Sequence, residues 1–78
     1  MEVKIYTTQN CVFCKKTKEF FKEHSITYKE IDVGKDVKAA KEMIDKSGQM
    51  GVPVIEVDDE ILIGFDKPAL IKALKIKA

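Results

Sequence analysis

The sequence has few of the cysteine and histidine residues that hold structural zinc. Its 78 residues include only two cysteines, Cys11 and Cys14, and a single histidine, His24. A structural zinc site takes about four Cys or His ligands, and His24 lies too far along the chain to close a site with the cysteine pair. We therefore expect no zinc site within one chain, although a cluster shared between two chains needs only one cysteine from each.

Excess charge and long apolar runs are also missing. The 14 basic and 13 acidic residues leave a net charge of +1, so no single-sign field favours nucleic acid or a membrane surface. No apolar run approaches the roughly 20 residues of a membrane helix, and the start MEVKIYTT lacks the basic and apolar segments of a signal peptide. We expect a cytoplasmic protein, in which disulfides are usually transient and catalytic, and we expect a monomer.

The remaining composition is typical of one small folded domain. Hydrophobic residues make up 45% of the chain and charged residues 35%, a balance that favours a packed core over disorder. The length fits a single domain over residues 1–78.

The residue pattern predicts seven elements in the order β-α-β-α-β-β-α. Short runs rich in β-branched and aromatic residues predict strands at residues 3–7, 26–33, 52–57 and 61–63. Apolar stripes with helical spacing predict three helices. The stripes consist of Cys14, Thr17, Phe20, Phe21 and His24; of Val37, Ala40, Met43, Ile44 and Ser47; and of Leu70, Ile71 and Leu74.

Capping residues and connections complete the predicted fold. Asp36 and Asp66 suit the N-caps of the second and third helices, Pro68 suits the first turn of the third helix, and Gly48 suits the end of the second. The first β-α-β unit implies two parallel strands with a right-handed crossover, and the closing hairpin adds two antiparallel strands. The expected class is therefore α/β, with a four-stranded mixed sheet flanked by three helices.

The stretch NCVFCK places both cysteines between the first strand and the first helix. Cys11 should lie at the helix N-terminus, where free N–H groups and the helix dipole favour the thiolate, which is the reactive form of cysteine. Lys15 and Lys16 add positive charge and are placed to steer acidic substrates. Cys14 lies one turn further along the inward stripe and should be more buried. Cys-x-x-Cys near a β-α-β pattern favours a redox centre.

Two other uses of the cysteine pair have weaker support. A structural disulfide across two intervening residues would close a very short loop, and the entropy that a disulfide removes from the unfolded chain grows with loop length. Two incidental buried thiols are a further alternative.

Three segments in this order resemble the glutaredoxin family of the thioredoxin fold. They are YTTQNCVFC after the first strand, GVPVI at the third strand and IGF before the last helix. The resemblance covers nearly the whole chain, and the chain length also fits this family. Thioredoxins usually carry Trp-Cys-Gly-Pro-Cys, whereas this chain has no Trp. The resemblance implies a thioredoxin-like fold and a thiol-disulfide oxidoreductase that reduces protein or small-molecule disulfides.

The resemblance also implies a role for each matching residue. Cys11 would be the nucleophile that forms a mixed disulfide, and Cys14 the second thiol that releases the product. Val52 and Pro53 correspond to a cis-proline loop whose backbone pairs with an extended substrate. The other substrate-binding residues would be Phe13, Gly64, Phe65 and Asp66.

This sequence departs from glutathione-binding glutaredoxins in three places. Val12-Phe13 replaces Pro-Tyr within the motif, Thr8-Gln9-Asn10 contains no lysine before it, and Gly64-Phe65 replaces a Gly-Gly pair. We expect Phe65 to crowd the γ-glutamyl end of glutathione. Val12 and Gly64-Phe65 are instead similar to redoxins that serve ribonucleotide reductase and take electrons from thioredoxin reductase. Phe13 and Ile63 depart from these redoxins, which usually carry Gln and Ser at those positions.

The partners and cofactors follow from the same resemblance. It implies disulfide-containing protein substrates, no bound cofactor, and either thioredoxin reductase or glutathione as the reductant. An alternative function is an iron–sulfur or metal carrier, in which Cys11 bridges a dimer and glutathione supplies other ligands. A redox-sensing module without turnover is another alternative, and a disulfide-reduction assay separates it from the enzyme.

Overall fold

A computed structural model describes residues 2–75 of the chain. Its elements follow the predicted order β-α-β-α-β-β-α. Their bounds are β1 Val3–Thr7, α1 Val12–Glu23, β2 Lys29–Asp32, α2 Val37–Ser47, β3 Val54–Val57, β4 Glu60–Ile63 and α3 Lys67–Leu74.

The four strands form one mixed sheet in the order β2-β1-β3-β4. The strand β1 pairs in parallel with β2 and antiparallel with β3, and β3 pairs antiparallel with β4. The predicted parallel β-α-β unit and the closing hairpin are both confirmed.

Helices cover both faces of the sheet, and buried side chains of β1 point to each of the two faces. Val3 and Ile5 belong to a core that includes Phe20 and Phe21 of α1 and Leu70 of α3. Tyr6, the next residue along the strand, faces the opposite side and belongs to a second core with Ala39 and Met43 of α2. Thus α1 and α3 lie on one face and α2 on the other.

The predicted inward stripe of α1 is confirmed. Cys14, Thr17, Phe20 and Phe21 are buried. His24 is half-buried at the C-cap, with its ring centroid 4.5 Å from that of Phe20.

The second strand begins later than predicted, at Lys29 instead of residue 26. Ser25 adopts a left-handed conformation with φ 54°, and the amides of Ser25 and Ile26 donate to the carbonyls of Lys22 and Phe21 at 3.1 and 2.8 Å. This is a Schellman C-cap, which commonly pairs its last residue with an apolar residue of the helix. Ile26 therefore packs against the core as part of the helix end.

The third strand also starts later than predicted, at Val54 instead of residue 52. Pro53 lacks a backbone N–H and cannot donate to a ladder, so pairing begins after it. The fourth strand starts one residue earlier than predicted, at Glu60.

The buried face of α2 differs from the predicted stripe at its first residue. Val37 is 82% exposed, whereas Ala39 and Met43 are buried. Ala39 and Ala40 are adjacent and both apolar, so the periodicity fits two rotations of the helix equally well. Packing against Tyr6 selects the rotation that buries Ala39.

The predicted caps are confirmed. The Asp36 carboxylate accepts the N–H of Ala39 at 3.1 Å, and Asp66 does the same for α3. Pro68 lies in the first turn of α3. Gly48 ends α2 with φ 75°, a left-handed conformation that costs glycine little.

None of the helices within residues 2–75 has the length and apolar character needed to cross a bilayer. The cytoplasmic location stays a prediction.

Candidate active site

Three chain segments meet where the strands end on one side of the sheet. Tyr6, next to the end of β1, pairs with Val54 at the start of β3, and Val54 pairs with Ile63 at the end of β4. The loop that follows β1, the segment that precedes β3 and the turn after β4 therefore lie together. Together with the first turn of α1, these segments carry all the site residues that the sequence predicts.

Cys11 is the N-cap of α1, as predicted. Its backbone is extended, with φ −95° and ψ 108°, and its Sγ accepts the N–H of Cys14 at 3.0 Å. The carbonyl of Cys11 accepts the N–H of Lys15 at 3.3 Å. Amide dipoles at a helix N-terminus stabilise negative charge, so this position favours a thiolate when the pair is reduced.

A disulfide joins Cys11 to Cys14, so the structure shows the oxidised pair. Their Cα atoms lie 5.2 Å apart, within the usual range for a disulfide. Cys14 is only 1% exposed, whereas Cys11 is half-buried. Only Cys11 presents appreciable surface to an approaching molecule.

The two residues inside the motif form an apolar surface. Val12 is 65% exposed and Phe13 is 56% exposed. The ammonium of Lys16 lies 5.4 Å from the centroid of the Phe13 ring, within the range of a cation–π interaction. An aromatic face and a positive charge thus lie beside the cysteine pair.

The Val52–Pro53 peptide bond is cis, as the resemblance implied. Pro53 is buried and Val52 is half-buried. The carbonyl of Pro53 accepts the N–H of Gly64 at 2.8 Å, which joins this loop to the end of β4. Within residues 2–75 no hydrogen bond engages the backbone N–H or C=O of Val52.

Gln49 holds the loop before Val52 in a way that the sequence analysis missed. Its side-chain nitrogen donates to the carbonyl of Gly51 at 2.9 Å, and its side-chain oxygen accepts the N–H of Gly51 at 2.6 Å. The intervening Met50 is left exposed. No local pattern signals such a pairing, because an amide side chain in a loop has many partners to choose from.

The three residues after β4 have structural roles of their own. Gly64 has φ 79°, and a Cβ there would meet no atom within 4 Å, so conformation rather than space favours glycine. Phe65 is half-buried with its ring centroid 6.2 Å from that of Phe20. Asp66 caps α3 by accepting the N–H of Ala69 at 3.3 Å.

Glu30 joins the two elements that flank the cysteine loop. Its Oε2 accepts hydrogen bonds from the hydroxyl of Thr7 at 3.0 Å and from the ammonium of Lys18 at 2.9 Å. Thr7 ends β1, and Lys18 lies one turn beyond Cys14. The Lys18 hydrogen bond lowers the pKa of Glu30, partial burial raises it, and the Thr7 bond lowers it further, with a net shift downward.

We expect Glu30→Gln to lower the free energy of unfolding by less than about 1 kcal/mol near neutral pH, because solvent screens an exposed ion pair. The Glu30 side chain is 42% exposed. Its pKa is lower in the folded than in the unfolded state, so this contribution is present above the unfolded value of about 4.3. The contribution disappears as the pH falls through the folded-state pKa.

The free energies of unfolding of wild type and Glu30→Gln should therefore become equal in acid. Urea unfolding of both proteins between about pH 3 and pH 7 measures the difference. Glu60→Gln, at an exposed position of β4, is the control and should match wild type throughout. A Glu30→Gln deficit that is equally large in acid would contradict an ionic origin.

Within the part of the chain that the structure describes, no three His, Cys, Asp or Glu side chains cluster in a way that could hold a metal ion. The four-stranded sheet, the helices on both faces and the cysteine pair define a thiol-disulfide oxidoreductase of the thioredoxin fold. The chain belongs to the glutaredoxin family, whose model, described as Glutaredoxin, matches residues 3–62.

Individual relatives agree with this family. An uncharacterized glutaredoxin-like 8.6 kDa protein in the rubredoxin operon of Clostridium pasteurianum is 42% identical, over 94% of this chain and 97% of its own length. The glutaredoxin-like protein NrdH of Lactococcus lactis is 33% identical, over 90% and 96%. The solved NrdH-redoxin of Escherichia coli superposes with a TM-score of 0.84 at 28% identity, over 100% of both chains.

Proposed function

We propose that Cys11 is the nucleophile and Cys14 the resolving thiol of a dithiol cycle that reduces disulfides of proteins and small molecules. The observation that carries this assignment is the asymmetry of the pair. Cys11 caps the helix with its sulfur facing an N–H group and is partly exposed, whereas Cys14 is 1% exposed. A bulky disulfide can reach the first sulfur and not the second.

The cycle follows from the chemistry of thiol–disulfide exchange. The Cys11 thiolate attacks one sulfur of the substrate, a bond forms between them, and the other substrate sulfur leaves as a thiolate that takes up a proton. Cys14 then loses its proton and attacks the Sγ of Cys11, which releases the second substrate thiol. Two electrons pass to the substrate, and the Cys11–Cys14 disulfide that results is the state in the structure.

Val52 is proposed to align the substrate chain. An extended peptide recognises a partner through main-chain hydrogen bonds, and the N–H and C=O of Val52 have no hydrogen bond within residues 2–75. Pro53 is buried behind Val52. Phe13, Gly64, Phe65 and Asp66 would border the bound segment, in addition to their structural roles.

We further propose that thioredoxin reductase donates electrons at least as well as glutathione, which would be the alternative co-substrate. Residues 8–10 offer no lysine for a glutathione carboxylate. Phe65 directly precedes the N-cap of α3, and the Asp66 carboxylate is engaged as that cap. The Escherichia coli NrdH-redoxin, which is similar to this chain, is described as having a thioredoxin-like activity profile.

Turnover of one model disulfide with two reducing systems tests the donor. We expect thioredoxin reductase with NADPH to give a rate at least equal to that of glutathione with glutathione reductase and NADPH. Thr8→Lys restores a cation before the motif and should raise the glutathione-dependent rate, whereas Thr8→Gln serves as the uncharged control. Strong activity of wild type with glutathione alone would contradict our interpretation of Phe65.

A further inference from the structure

A cleft between α1 and α3 extends away from the cysteine pair. It has a volume of about 290 Å³ and is lined by Lys16, Glu19, Phe20, Glu23, Phe65 and Lys67. Its apolar part comes from two aromatic rings in a T-shaped arrangement, with centroids 6.2 Å apart. Phe20 is buried and Phe65 is half-buried. We call it the α1–α3 cleft.

The charges of the α1–α3 cleft are segregated along its length. Lys16 lies over Phe13, and Lys67 begins α3 directly after the turn that hydrogen-bonds to Pro53, so both cations lie at the end nearest the cysteines. Glu19 and Glu23 follow Lys16 on the same helix. With about 1.5 Å of rise per residue, they lie about 4.5 and 10.5 Å further from Cys11 along the helix axis.

The charged side chains of the cleft take part in no close ion pair among the described residues. Within residues 2–75 the ion pairs are Lys4–Glu2, Lys18–Glu30 and Lys46–Glu56, and none of them involves the four charged residues of the cleft. The carboxylate of Asp66, which precedes Lys67, is engaged with the N–H of Ala69. The ammonium groups of Lys16 and Lys67 therefore face solvent at the cationic end.

We propose that the α1–α3 cleft binds the polypeptide that flanks the reactive cysteine of a substrate protein and selects an acidic residue close to that cysteine. This inference rests on the proposed function, because Cys11 must be the atom that holds the substrate. Lys16 follows Cys11 by five residues, or about 7.5 Å of helix axis. An extended chain covers that distance in about two residues, so the acidic side chain belongs at the second position from the cysteine.

Opposite charges at such a site raise the rate of productive encounter. An apolar side chain next in the peptide would lie against the exposed part of the Phe65 ring, which packs on the buried Phe20. The carboxylates of Glu19 and Glu23 would then disfavour a second acidic residue further along. The cleft thus favours a short acidic segment beside the disulfide rather than a uniformly acidic protein.

The test compares three peptides that carry one cysteine in a mixed disulfide with mercaptoethanol. They differ only in the second residue from the cysteine, which is Glu, Gln or Lys. Each peptide is made in two forms, one with that residue before the cysteine and one with it after the cysteine. The measurement is the second-order rate constant for reduction by the reduced protein. We expect the Glu peptide to react about two- to fivefold faster than the Gln peptide, and the Lys peptide to be slowest, on the side that enters the cleft.

Charge reversal identifies the residues responsible. The double variant Lys16→Glu/Lys67→Glu should invert the order of the Glu and Lys peptides. The variant Lys38→Glu/Lys41→Glu changes the net charge equally at exposed positions of α2, on the other face of the sheet, and should keep the wild-type order. Both pairs are exposed, so neither change disturbs the core.

The outcomes separate the two proposals. Equal rates of wild type with all three peptides would overturn the role of the cleft and leave the oxidoreductase function standing. A wild-type order that survives in Lys16→Glu/Lys67→Glu, or that is lost equally in the α2 variant, would also overturn it. No reduction of any peptide by wild type would overturn the proposed function, and the cleft's role with it.

Discussion

Cys11→Ser is expected to reduce the rate of disulfide reduction to the uncatalysed background. A serine hydroxyl stays protonated near neutral pH and cannot replace the thiolate that attacks a disulfide. Cys14 cannot substitute for it, because Cys14 is only 1% exposed, on the buried side of the first turn of α1. Reduction of a small neutral disulfide, followed by chromatography of the released thiol, measures the loss.

Cys14→Ser is the matched control, since it removes one sulfur from the same pair. It should retain attack by Cys11 and accumulate the mixed disulfide, which mass spectrometry detects as the mass of the protein plus that of the thiol less two hydrogen atoms. Alkylation of the reduced wild type with a limiting amount of iodoacetamide should modify Cys11 first. Modification of Cys14 first would reverse the roles assigned to the two thiols.

Phe21→Ala is expected to lower the free energy of unfolding by about 3–5 kcal/mol, which is typical of removing a buried aromatic side chain. Phe21 is 0% exposed, and its ring centroid lies 5.0 Å from that of Tyr28 and 6.3 Å from that of Phe20. Native domains have only about 5–15 kcal/mol of stability, and a chain this small lies toward the lower end. The variant should therefore be largely unfolded at room temperature or close to it.

Phe13→Ala makes the same truncation on the same helix at a site that is 56% exposed. It should lose less than about 1 kcal/mol, mainly from the contact with Lys16. Urea unfolding followed by far-ultraviolet circular dichroism compares the two, since the chain has no tryptophan to report by fluorescence. Equal losses would show that α1 is not held to the sheet through Phe21.

Local pattern predicted most of the fold and the place of the cysteine pair. Strand β1 was predicted with its observed bounds, and α1 with its buried face, because alternation and helical spacing are set by nearest neighbours. Asp36, Gly48 and Asp66 were predicted as caps for the same reason, since a cap bonds within its own turn. The cis bond before Pro53 came from the family resemblance and not from periodicity.

The errors arose where a residue had two locally acceptable positions. Ile26 suits a strand as well as the end of a helix, and contact with the core of α1 and α3 selects the helix end. Val37 fits the inward stripe by spacing alone. The packing of Ala39 against Tyr6 selects a rotation of α2 that leaves Val37 exposed. Neither choice is visible in a short window, because the deciding neighbour lies far away along the chain.

The sequence alone is enough to place Cys11 at a helix N-terminus and Cys14 on the buried side of that helix, because the strand, the loop and the helix follow one another directly in the chain. The surroundings of that pair depend on folding. Lys18 and Glu30 meet across 12 residues of sequence, and Gly64 reaches Pro53 across the hairpin. Lys16 and Lys67 share one cleft although they belong to different helices. The redox chemistry is therefore set by a local motif, whereas the substrate selection that we propose depends on side chains that only packing brings together.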